Sequence, residues 1–369
     1  MKSILFTRGV PATESFPSDE IAEAAAAVLR ERGASLLQYG PSTGLPFLRE
    51  WLAEWQRVKP EQVLTGNGSL QLLEFLCLAL VSPGDVIVTE APTYDRTITL
   101  LRRHGAEIVG VPLEADGPNL EALEAAVRRR APRFVYLIPD FQNPAGATCS
   151  GPKRRRIVAL AEELGLLLVE DAPYRALRYR GTEEPTLFTL APERTLHMSS
   201  FSKLIGPGPR LGFMLGEAAL ISRLAKIAED TYISPSNLAH GIAYEWCRRG
   251  HLPAQIERLK ALYAPRLDAC LAALRSHMPD AAATRPDGGF FLSVTLPPGV
   301  ENAAVRAAAE SRSLQLADGR AFFPEGGGER FLRLPYCALS PHEIEEGIER
   351  LASAVQQVRE RSPQPSSAR

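Results

Sequence analysis

The chain has few of the features that mark a disulfide-linked, membrane-spanning or nucleic-acid-binding protein. Its 369 residues include only five cysteines, none in a CxxC pair, which fits free thiols in a reducing compartment. No apolar run approaches the ~18 residues of a membrane span, and the short apolar start is too brief for a signal peptide. The 42 basic and 43 acidic side chains almost cancel, so no cationic excess points to nucleic acid or an anionic membrane. We therefore expect a cytoplasmic protein with neither of these partners.

Metal-binding patterns are also missing. None of the six histidines has the spacing of an HExxH motif, so we predict no catalytic metal. The arginine runs 128–130 and 154–156 fall on predicted helices. We interpret them as solvated helix faces rather than as contacts to nucleic acid.

The composition and patterning that are present indicate an α/β protein. Hydrophobic residues make up 45% and charged residues 23% of the chain, as in ordinary globular proteins, and its length suggests two domains. Short β-branched runs alternate with helical patterns, which indicates βαβ units and a mostly parallel sheet. Strands are predicted at 86–89, 134–138, 166–169 and 211–215, and helices at 119–130 and 153–164.

The last third of the chain has a different organisation. A long helical region, 221–277, is interrupted at Pro235 and Pro253. A new α+β stretch follows it, so we place a domain boundary near 275–280. The final residues, 361–369, have almost no apolar side chains to bury, and we expect a disordered tail there.

The segment 200–210, Ser-Phe-Ser-Lys-Leu-Ile-Gly-Pro-Gly-Pro-Arg, has the composition of a phosphate-binding loop. It follows a short predicted strand, and open α/β sheets bind ligands at the carboxyl ends of their strands. The hydroxyls of Ser200 and Ser202, the flexible glycines and the guanidinium of Arg210 suit an anion. Lys203 is either a further phosphate contact or an amine that forms a Schiff base with a carbonyl cofactor. A solvated loop without function is the alternative.

Polar side chains also end two strands upstream. Asp171 closes an apolar strand, where a buried carboxylate needs a cation; a helix N-cap or a structural ion pair is the alternative. Tyr174 follows three residues later. Asn143 lies just beyond the strand at 134–138, in a turn rich in proline and glycine, and alone it indicates only a turn.

Two more segments have the character of ligand-binding loops. Gly68 and Ser69 open a predicted helix at 70–80, whose N–H groups and dipole suit an anion. No GK[ST] follows, and the pattern is not a dinucleotide fingerprint. Tyr94 follows the strand at 86–89, and its ring fits core packing and ligand stacking equally well.

In this order, the segments together resemble the fold type I pyridoxal-phosphate (PLP) aminotransferases, particularly the branch of the 2-aminoadipate and kynurenine aminotransferases. The resemblance spans nearly the whole chain, from residues 9–11 through 39–44 to 333–334, and segment 200–210 is highly specific for that group. It implies a large PLP-binding α/β domain with a mostly parallel sheet at 30–277. A small α+β domain would be built from residues 1–29 and 278–360.

The resemblance implies PLP as the cofactor and gives each motif a role. Lys203 would bind PLP through a Schiff base and move the proton at the substrate. Asp171 would pair with the pyridine nitrogen, and Tyr94 would stack on the ring. Asn143 and Tyr174 would hydrogen-bond the ring hydroxyl. The phosphate would be held by Gly68, Ser69, Leu70, Ser200, Ser202 and Arg210.

The resemblance also implies a homodimer and a substrate site. Tyr39 would reach the phosphate from the neighbouring subunit. Arg333 would bind the substrate α-carboxylate, aided by Asn143 and the backbone at Gly9. Arg8 stands where relatives often have glycine. It is either a solvent-exposed arginine or a ligand for an acidic substrate side chain, such as that of glutamate or 2-aminoadipate.

We therefore expect a PLP-dependent aminotransferase that moves an α-amino group between an amino acid and a 2-oxo acid by a ping-pong mechanism. One alternative keeps the cofactor but is a lyase, decarboxylase or oxidase acting on an amino acid, since one cofactor supports cleavage of several bonds at Cα. The other is a non-catalytic effector protein that retains the fold. The presence of Lys203, Asp171 and Arg333 argues against the effector.

Overall fold

The computed structural model describes residues 2–361 of the chain. Its strands are β1 (Ile4–Phe6), β2 (Val63–Gly66), β3 (Val86–Ala91), β4 (Glu107–Glu114), β5 (Gly117–Pro118), β6 (Phe134–Leu137), β7 (Leu168–Asp171), β8 (Thr195–Ser200), β9 (Gly212–Leu215), β10 (Ala282–Ala283), β11 (Phe291–Thr295), β12 (Leu314–Leu316) and β13 (Phe331–Pro335). Its α-helices are α1 (Ser18–Leu36), α2 (Pro46–Gln56), α3 (Ser69–Leu80), α4 (Asp95–Arg103), α5 (Leu120–Arg130), α6 (Gly151–Leu164), α7 (Leu187–Leu190), α8 (Ala218–Tyr232), α9 (Asn237–Arg248), α10 (His251–His277), α11 (Asn302–Glu310) and α12 (Pro341–Arg361). Turns of 3₁₀ helix lie at Thr13–Ser15, Pro60–Gln62, Phe201–Lys203 and Gly319–Phe322. None of the helices within residues 2–361 has the length and apolar character needed to cross a membrane.

Eight strands form the central sheet, in the order β2-β9-β8-β7-β6-β3-β4-β5. The five strands β8, β7, β6, β3 and β4 pair in parallel, and β2, β9 and β5 add antiparallel pairings. Apolar clusters cover both faces of this sheet. Its central strands are therefore buried along almost their whole length, as is usual for parallel sheets. The expected α/β class with a mostly parallel sheet is confirmed.

The carboxyl ends of β3, β6, β7 and β8 lie at one edge of the sheet because these strands are parallel. Each strand continues into a segment that carries a predicted site residue. Tyr94 follows β3, Asn143 follows β6, Tyr174 follows β7 and Lys203 follows β8, while Asp171 is the last residue of β7. The common strand direction, rather than closeness in sequence, brings these side chains to the same place.

Smaller β structure lies outside the central sheet. Strand β11 pairs antiparallel with β10 and β13, and β1 pairs parallel with β12. These strands pack with α10, α11 and α12 around an apolar core of their own. Arg333 lies in β13 opposite Ser293, and β1 leads directly into residues 7–9 beside it. The division into domains at 1–29, 30–277 and 278–360 stays a prediction.

The helical region 221–277 consists of three helices, α8, α9 and α10. One break surrounds Pro235, as predicted, and the other is at Gly250, which adopts a left-handed conformation. Pro253 does not interrupt the chain there; it lies in the first turn of α10. A first-turn residue has no helical acceptor for its N–H, so proline is tolerated at that position.

The expected tail at 361–369 only partly falls within the described residues. Arg361 is the last residue of α12, so the helix extends one residue into the segment predicted to be disordered. The remainder, residues 362–369, lies outside the described residues.

The prediction for the run 154–156 is wrong for Arg154, which is fully buried rather than solvated. Its guanidinium donates to Asp140 Oδ1 at 2.8 Å and to the carbonyl oxygens of Cys149 at 2.9 Å and Pro139 at 3.0 Å. A buried charge is tolerated here because it is paired and fully hydrogen-bonded. Arg154 therefore holds both ends of the loop that carries Asn143.

Candidate active site

A cavity of about 190 Å³ opens at the carboxyl edge of the central sheet. Its walls come from the ends of β3, β6, β7 and β8 and from the start of α3. The structure brings eleven of the predicted site residues to this one cavity: Gly68, Ser69, Leu70, Tyr94, Asn143, Asp171, Tyr174, Ser200, Ser202, Lys203 and Arg210.

Lys203 ends the 3₁₀ turn that follows β8, and its amine is directed into the cavity. The amine donates to the carbonyl oxygen of Gly9 at 3.1 Å. Burial lowers the pKa of the Lys203 amine, and the positive charges of Arg210 and Arg333 act in the same direction. A lower pKa leaves more of the amine unprotonated at neutral pH, which is the form that attacks a carbonyl carbon and accepts a proton.

Asp171 presents a carboxyl group that forms no salt bridge with any of the described residues. Its side chain is buried, and Oδ2 accepts a hydrogen bond from the Tyr136 hydroxyl at 2.6 Å. The other oxygen, Oδ1, is buried without a hydrogen-bond partner among the described residues. Burial raises the pKa of Asp171 to about 6. The alternatives of a helix N-cap and of a structural ion pair both fail, and the vacant acceptor suits a cationic N–H group.

The opposite end of the cavity has the geometry of an anion-binding site. Gly68 has a φ of 100°, and a Cβ there would lie 2.4 Å from Arg210 Nη2, so only glycine lets the guanidinium approach. Ser200 Oγ accepts a hydrogen bond from the Ser202 N–H at 3.1 Å. The first turn of α3 begins at Ser69. Hydroxyls, a guanidinium and a helix N-terminus together favour a phosphate group.

Aromatic rings form the walls between these two ends. The ring of Tyr174 packs against Phe290 and Phe291, with centroids 5.5 Å and 5.6 Å away. Tyr94 borders the same cavity and also packs against the apolar core between α3 and the sheet. The two roles considered for Tyr94 therefore do not exclude each other, because one part of its surface packs and another remains available to a ligand.

A second cavity, of about 510 Å³, adjoins the first and contains Arg333. The Arg333 guanidinium donates to Asn143 Oδ1 at 2.9 Å and to the Thr7 carbonyl oxygen at 2.7 Å. Its Nε is buried without a partner among the described residues. Gly9 and the exposed Arg8 also line this cavity. A fixed guanidinium with a vacant donor suits a carboxylate.

The two cavities adjoin and share four lining residues, Tyr94, Asn143, Tyr174 and Lys203. Tyr39 is the predicted site residue that borders neither of them. Its side chain is 76% exposed at the surface of the chain. Tyr39 can therefore reach a phosphate only in another copy of the chain or after a rearrangement.

Sequence reasoning missed several residues that shape the site. Tyr136 bonds Asp171, Thr7 bonds Arg333, and the Phe322 ring lies 4.5 Å from the Arg333 guanidinium carbon. Tyr136 lies within a predicted strand, but only the register of β6 on β7, with Tyr136 opposite Val169, places it on the face of Asp171. No local motif marks Thr7 or Phe322, because their positions depend on contacts between distant parts of the chain.

Residues 2–351 match the family "Aminotransferase class I and II". The 2-aminoadipate transaminase of Thermus thermophilus is 37% identical over 95% of this chain and 89% of that protein. The aromatic-amino-acid aminotransferase 1 of Thermococcus litoralis is 33% identical over 95% of this chain and 87% of that protein. A crystal structure of the α-aminoadipate aminotransferase LysN of T. thermophilus, complexed with N-(5′-phosphopyridoxyl)-L-leucine, superimposes with a TM-score of 0.93 at 35% identity, covering 97% of this chain and 93% of that one.

The chain belongs to the class I and II aminotransferases. It has the type I fold of PLP-dependent enzymes and is a PLP-dependent aminotransferase, so the expectations for family, fold, cofactor and activity are confirmed. The vacant oxygen of Asp171, the buried amine of Lys203 and the anion site at Gly68 and Arg210 fit three polar parts of this cofactor, its ring nitrogen, aldehyde and phosphate. The lyase, decarboxylase, oxidase and effector alternatives are not favoured.

We expect Asp171→Asn to make the protein more stable in the absence of cofactor. The pKa of Asp171 in the folded protein, about 6, lies above the ordinary value of 3.8. The protonated carboxyl therefore contributes its full stability to the folded state below pH ~4, and this contribution is lost as the pH rises through about 6. Urea unfolding of the apoprotein at pH 7 should show a gain on the order of 2 kcal/mol for the variant. The gain should vanish below pH ~4, and the affinity for PLP should fall.

Asp116→Asn is the matched control for this prediction. Asp116 pairs with Lys153 at the surface, and the hydrogen bond from Lys153 lowers the pKa of the Asp116 carboxyl. Its removal should give no gain at pH 7. Equal stability of wild-type and Asp171→Asn apoproteins between pH 4 and pH 7 would show that Asp171 is not an uncompensated charge.

Proposed function

We propose that the chain transfers an α-amino group from an amino acid to a 2-oxo acid in a ping-pong cycle, in which Lys203 and Asp171 contact the cofactor and Arg333 contacts the substrate. The observation that carries this proposal is a pair of adjoining cavities bordered by a buried amine, a carboxylate without an ion-pair partner, an anion site and a fixed guanidinium. In these cavities a cofactor would contact Lys203 and Asp171, while the α-carboxylate of a substrate would contact Arg333.

Each proposed role follows from the chemistry of the side chain. PLP, when bound, supplies an electron sink for the negative charge that develops at the substrate Cα. Asp171 keeps the pyridine nitrogen protonated, since its vacant oxygen accepts the N–H. Lys203 holds the cofactor covalently and moves the proton at Cα. Asn143 and Tyr174 hydrogen-bond the ring hydroxyl, and Tyr94 covers one face of the ring.

The phosphate would be held at the other end of the same cavity. The hydroxyls of Ser200 and Ser202, the guanidinium of Arg210 and the backbone N–H groups that begin α3 all border this end and would donate to the phosphate. Leu70 supplies only its backbone N–H. A side chain at position 68 would collide with the Arg210 guanidinium where it lies, and would displace that guanidinium from the anion site.

A single-turnover reaction with the purified PLP-loaded protein tests the activity. Each amino donor should give its 2-oxo acid and pyridoxamine 5′-phosphate in equal amounts, measured by absorbance and mass spectrometry. Lys203→Ala should lose this turnover while still binding PLP without a covalent link. Release of ammonia or carbon dioxide in place of the 2-oxo acid would contradict transamination.

The second cavity indicates which part of the protein recognises the donor side chain. We propose that Arg333, with Asn143 and Gly9, holds the α-carboxylate and that Arg8 contacts an acidic side chain. Arg8 is exposed, borders the cavity and makes no hydrogen bond or ion pair with another described residue. The 2-aminoadipate substrate in the name of the T. thermophilus relative is consistent with this proposal.

We expect Arg8→Ala to raise KM for glutamate and 2-aminoadipate about tenfold, since a hydrogen bond to a charged group contributes about 1.5–3 kcal/mol. KM for neutral donors such as leucine should not change, and these donors are the internal control. Steady-state kinetics with both donor types give the measurement. An equal effect on acidic and neutral donors would overturn the role of Arg8.

We further propose that the enzyme is a cytoplasmic homodimer with shared active sites. The five cysteines are all unpaired and buried, which supports a reducing compartment. An exposed apolar patch contains Leu37, Tyr39, Ile233 and Leu238, whose exposed fractions are 74%, 76%, 48% and 37%. Large exposed apolar residues that cluster in this way favour a protein contact.

This apolar patch is connected to the anion site by hydrogen bonds. Asn237 Nδ2 donates to the Gln38 carbonyl oxygen at 2.8 Å, which joins the two halves of the patch. The Ser236 N–H donates to Asn67 Oδ1 at 3.2 Å, and the carbonyl oxygen of Asn67 accepts from Arg210 at 3.1 Å. A second copy docked on the patch would therefore lie beside the phosphate site, where its own Tyr39 is expected to donate.

Mixed dimers test whether Tyr39 acts across the interface. Tyr39→Ala alone should weaken PLP retention, and Lys203→Ala alone should abolish turnover. Random pairing of the two co-expressed variants makes about half of the dimers mixed, and each mixed dimer contains one site with both residues intact. Co-expression should therefore restore about a quarter of the wild-type active sites. Activity no higher than the average of the two parents would show that Tyr39 acts within its own chain or not at all.

A further inference from the structure

Strands β3 and β6 pair in parallel and then separate just before the active site. Their last paired residues are Thr89 and Tyr136. Beyond this point β3 continues to the loop that carries Tyr94, and β6 continues to the loop that carries Asn143. The two loops border the same cavity, so their separation decides how a flat ring fits between them.

A buried carboxyl and a buried amide fill the space where the strands separate. Glu90 and Gln142 are each 1% exposed. Glu90 Oε2 accepts from Gln142 Nε2 at 3.1 Å and from the Ile138 N–H at 3.1 Å. Gln142 Nε2 also donates to the Pro92 carbonyl oxygen at 2.7 Å, and Gln142 Oε1 accepts from the Ala145 N–H at 2.9 Å.

These bonds join the two loops directly. Gln142 lies in the loop after β6 and uses both of its N–H donors across the gap, on Glu90 and on the Pro92 carbonyl oxygen, while its oxygen binds the turn after Asn143. The Ile138 N–H is the first backbone donor beyond β6, where the pairing with β3 has ended. The Glu90 side chain accepts its hydrogen bond in place of a backbone carbonyl oxygen of β3. Without this pair, several buried backbone groups would lack partners, each at a substantial cost.

We propose that Glu90 and Gln142 form a clamp that fixes the positions of Tyr94 and Asn143 relative to each other, and that Glu90 is a positioning residue for the cofactor and substrate sites. The inference rests on the proposed function, in which these two residues contact the cofactor ring. Because Asn143 also accepts from Arg333, the clamp acts on the α-carboxylate site as well. Glu90 itself borders neither cavity, so it acts only through other residues.

The ionisation of Glu90 supports the choice of a conservative variant. Burial raises the pKa of Glu90 to about 8, although the hydrogen bonds from Gln142 and Ile138 oppose this rise. The carboxyl is therefore mostly protonated at neutral pH. Glutamine has the same size as a neutral glutamic acid and keeps an oxygen that accepts from Ile138 and Gln142, so it should preserve the clamp.

The test compares Glu90→Gln with Glu90→Leu in the PLP-loaded protein. Glu90→Leu should raise KM for the amino donor and the Kd for PLP about tenfold, the effect of losing one good hydrogen bond to the ligand. It should also move the pH at which the absorption band of the bound cofactor changes, because Asn143 would no longer contact the ring hydroxyl. Glu90→Gln should keep KM, Kd and this pH close to the wild-type values.

Gln142→Met tests the same clamp from its other half and carries the test if Glu90→Leu does not fold. It should move KM, Kd and the absorption midpoint in the same direction as Glu90→Leu. The effects of the two substitutions on these quantities should be less than additive in the double variant, because the two residues act as one unit.

Glu245→Leu is the matched control. Glu245 is a similarly buried carboxyl on α9, bonded to Arg248 and Arg249, and its loss should reduce stability without changing KM, Kd or the absorption midpoint.

The outcomes separate the clamp from the proposed function. A wild-type protein that shows no cofactor absorption band would contradict the proposed function. A normal wild type with a folded Glu90→Leu or Gln142→Met protein whose KM, Kd and absorption midpoint are unchanged would overturn the clamp. The clamp would also be overturned if Glu90→Gln were as impaired as Glu90→Leu, because the role would then depend on charge and not on the hydrogen bonds.

Discussion

Removing the Asp171 carboxylate from water without giving it a cation is the constraint on which the rest of the site depends. The folded chain supplies only the Tyr136 hydroxyl to one of its oxygens, and the other has no partner among the described residues. Such a group costs stability unless a ligand compensates it. Lys203 has the complementary problem, since burial disfavours its charged form. Both costs are reduced when a cofactor with a basic ring nitrogen and a reactive carbonyl group occupies the cavity.

The parallel sheet makes this arrangement possible. Parallel strands end at a common edge, so four separate segments of the chain present polar or aromatic side chains to the same space. At this edge the hydrogen bonds between strands end, and side chains must provide hydrogen-bond partners for the buried backbone N–H and C=O groups beyond it. Glu90 and Gln142 do so between β3 and β6, and Arg154 does so along the loop after β6. The site is held by buried polar side chains as much as by the sheet.

Much of the site was predictable because its chemistry is concentrated in short segments. The segment 200–210 and the residues Asp171, Asn143 and Tyr94 each follow a predicted strand, and they lie at one cavity as expected. Predictions from local pattern failed where burial depended on distant partners. Arg154 has the local sequence of a solvated helix face, yet it is buried against Asp140. Nothing near Tyr136 or Glu90 in the sequence indicates the bonds that they form across strands.

The sequence by itself determined the class of fold, the cofactor chemistry and the residues that border the cavity, because strand patterns, loop composition and motif order are local properties. The tertiary structure decided which charges lack partners, how far burial shifts the pKa values of Asp171 and Lys203, and which polar groups join the loops. These features depend on strand register and on packing between residues that are far apart in the chain. Register and packing arise only when the whole chain has folded, and no local segment encodes them.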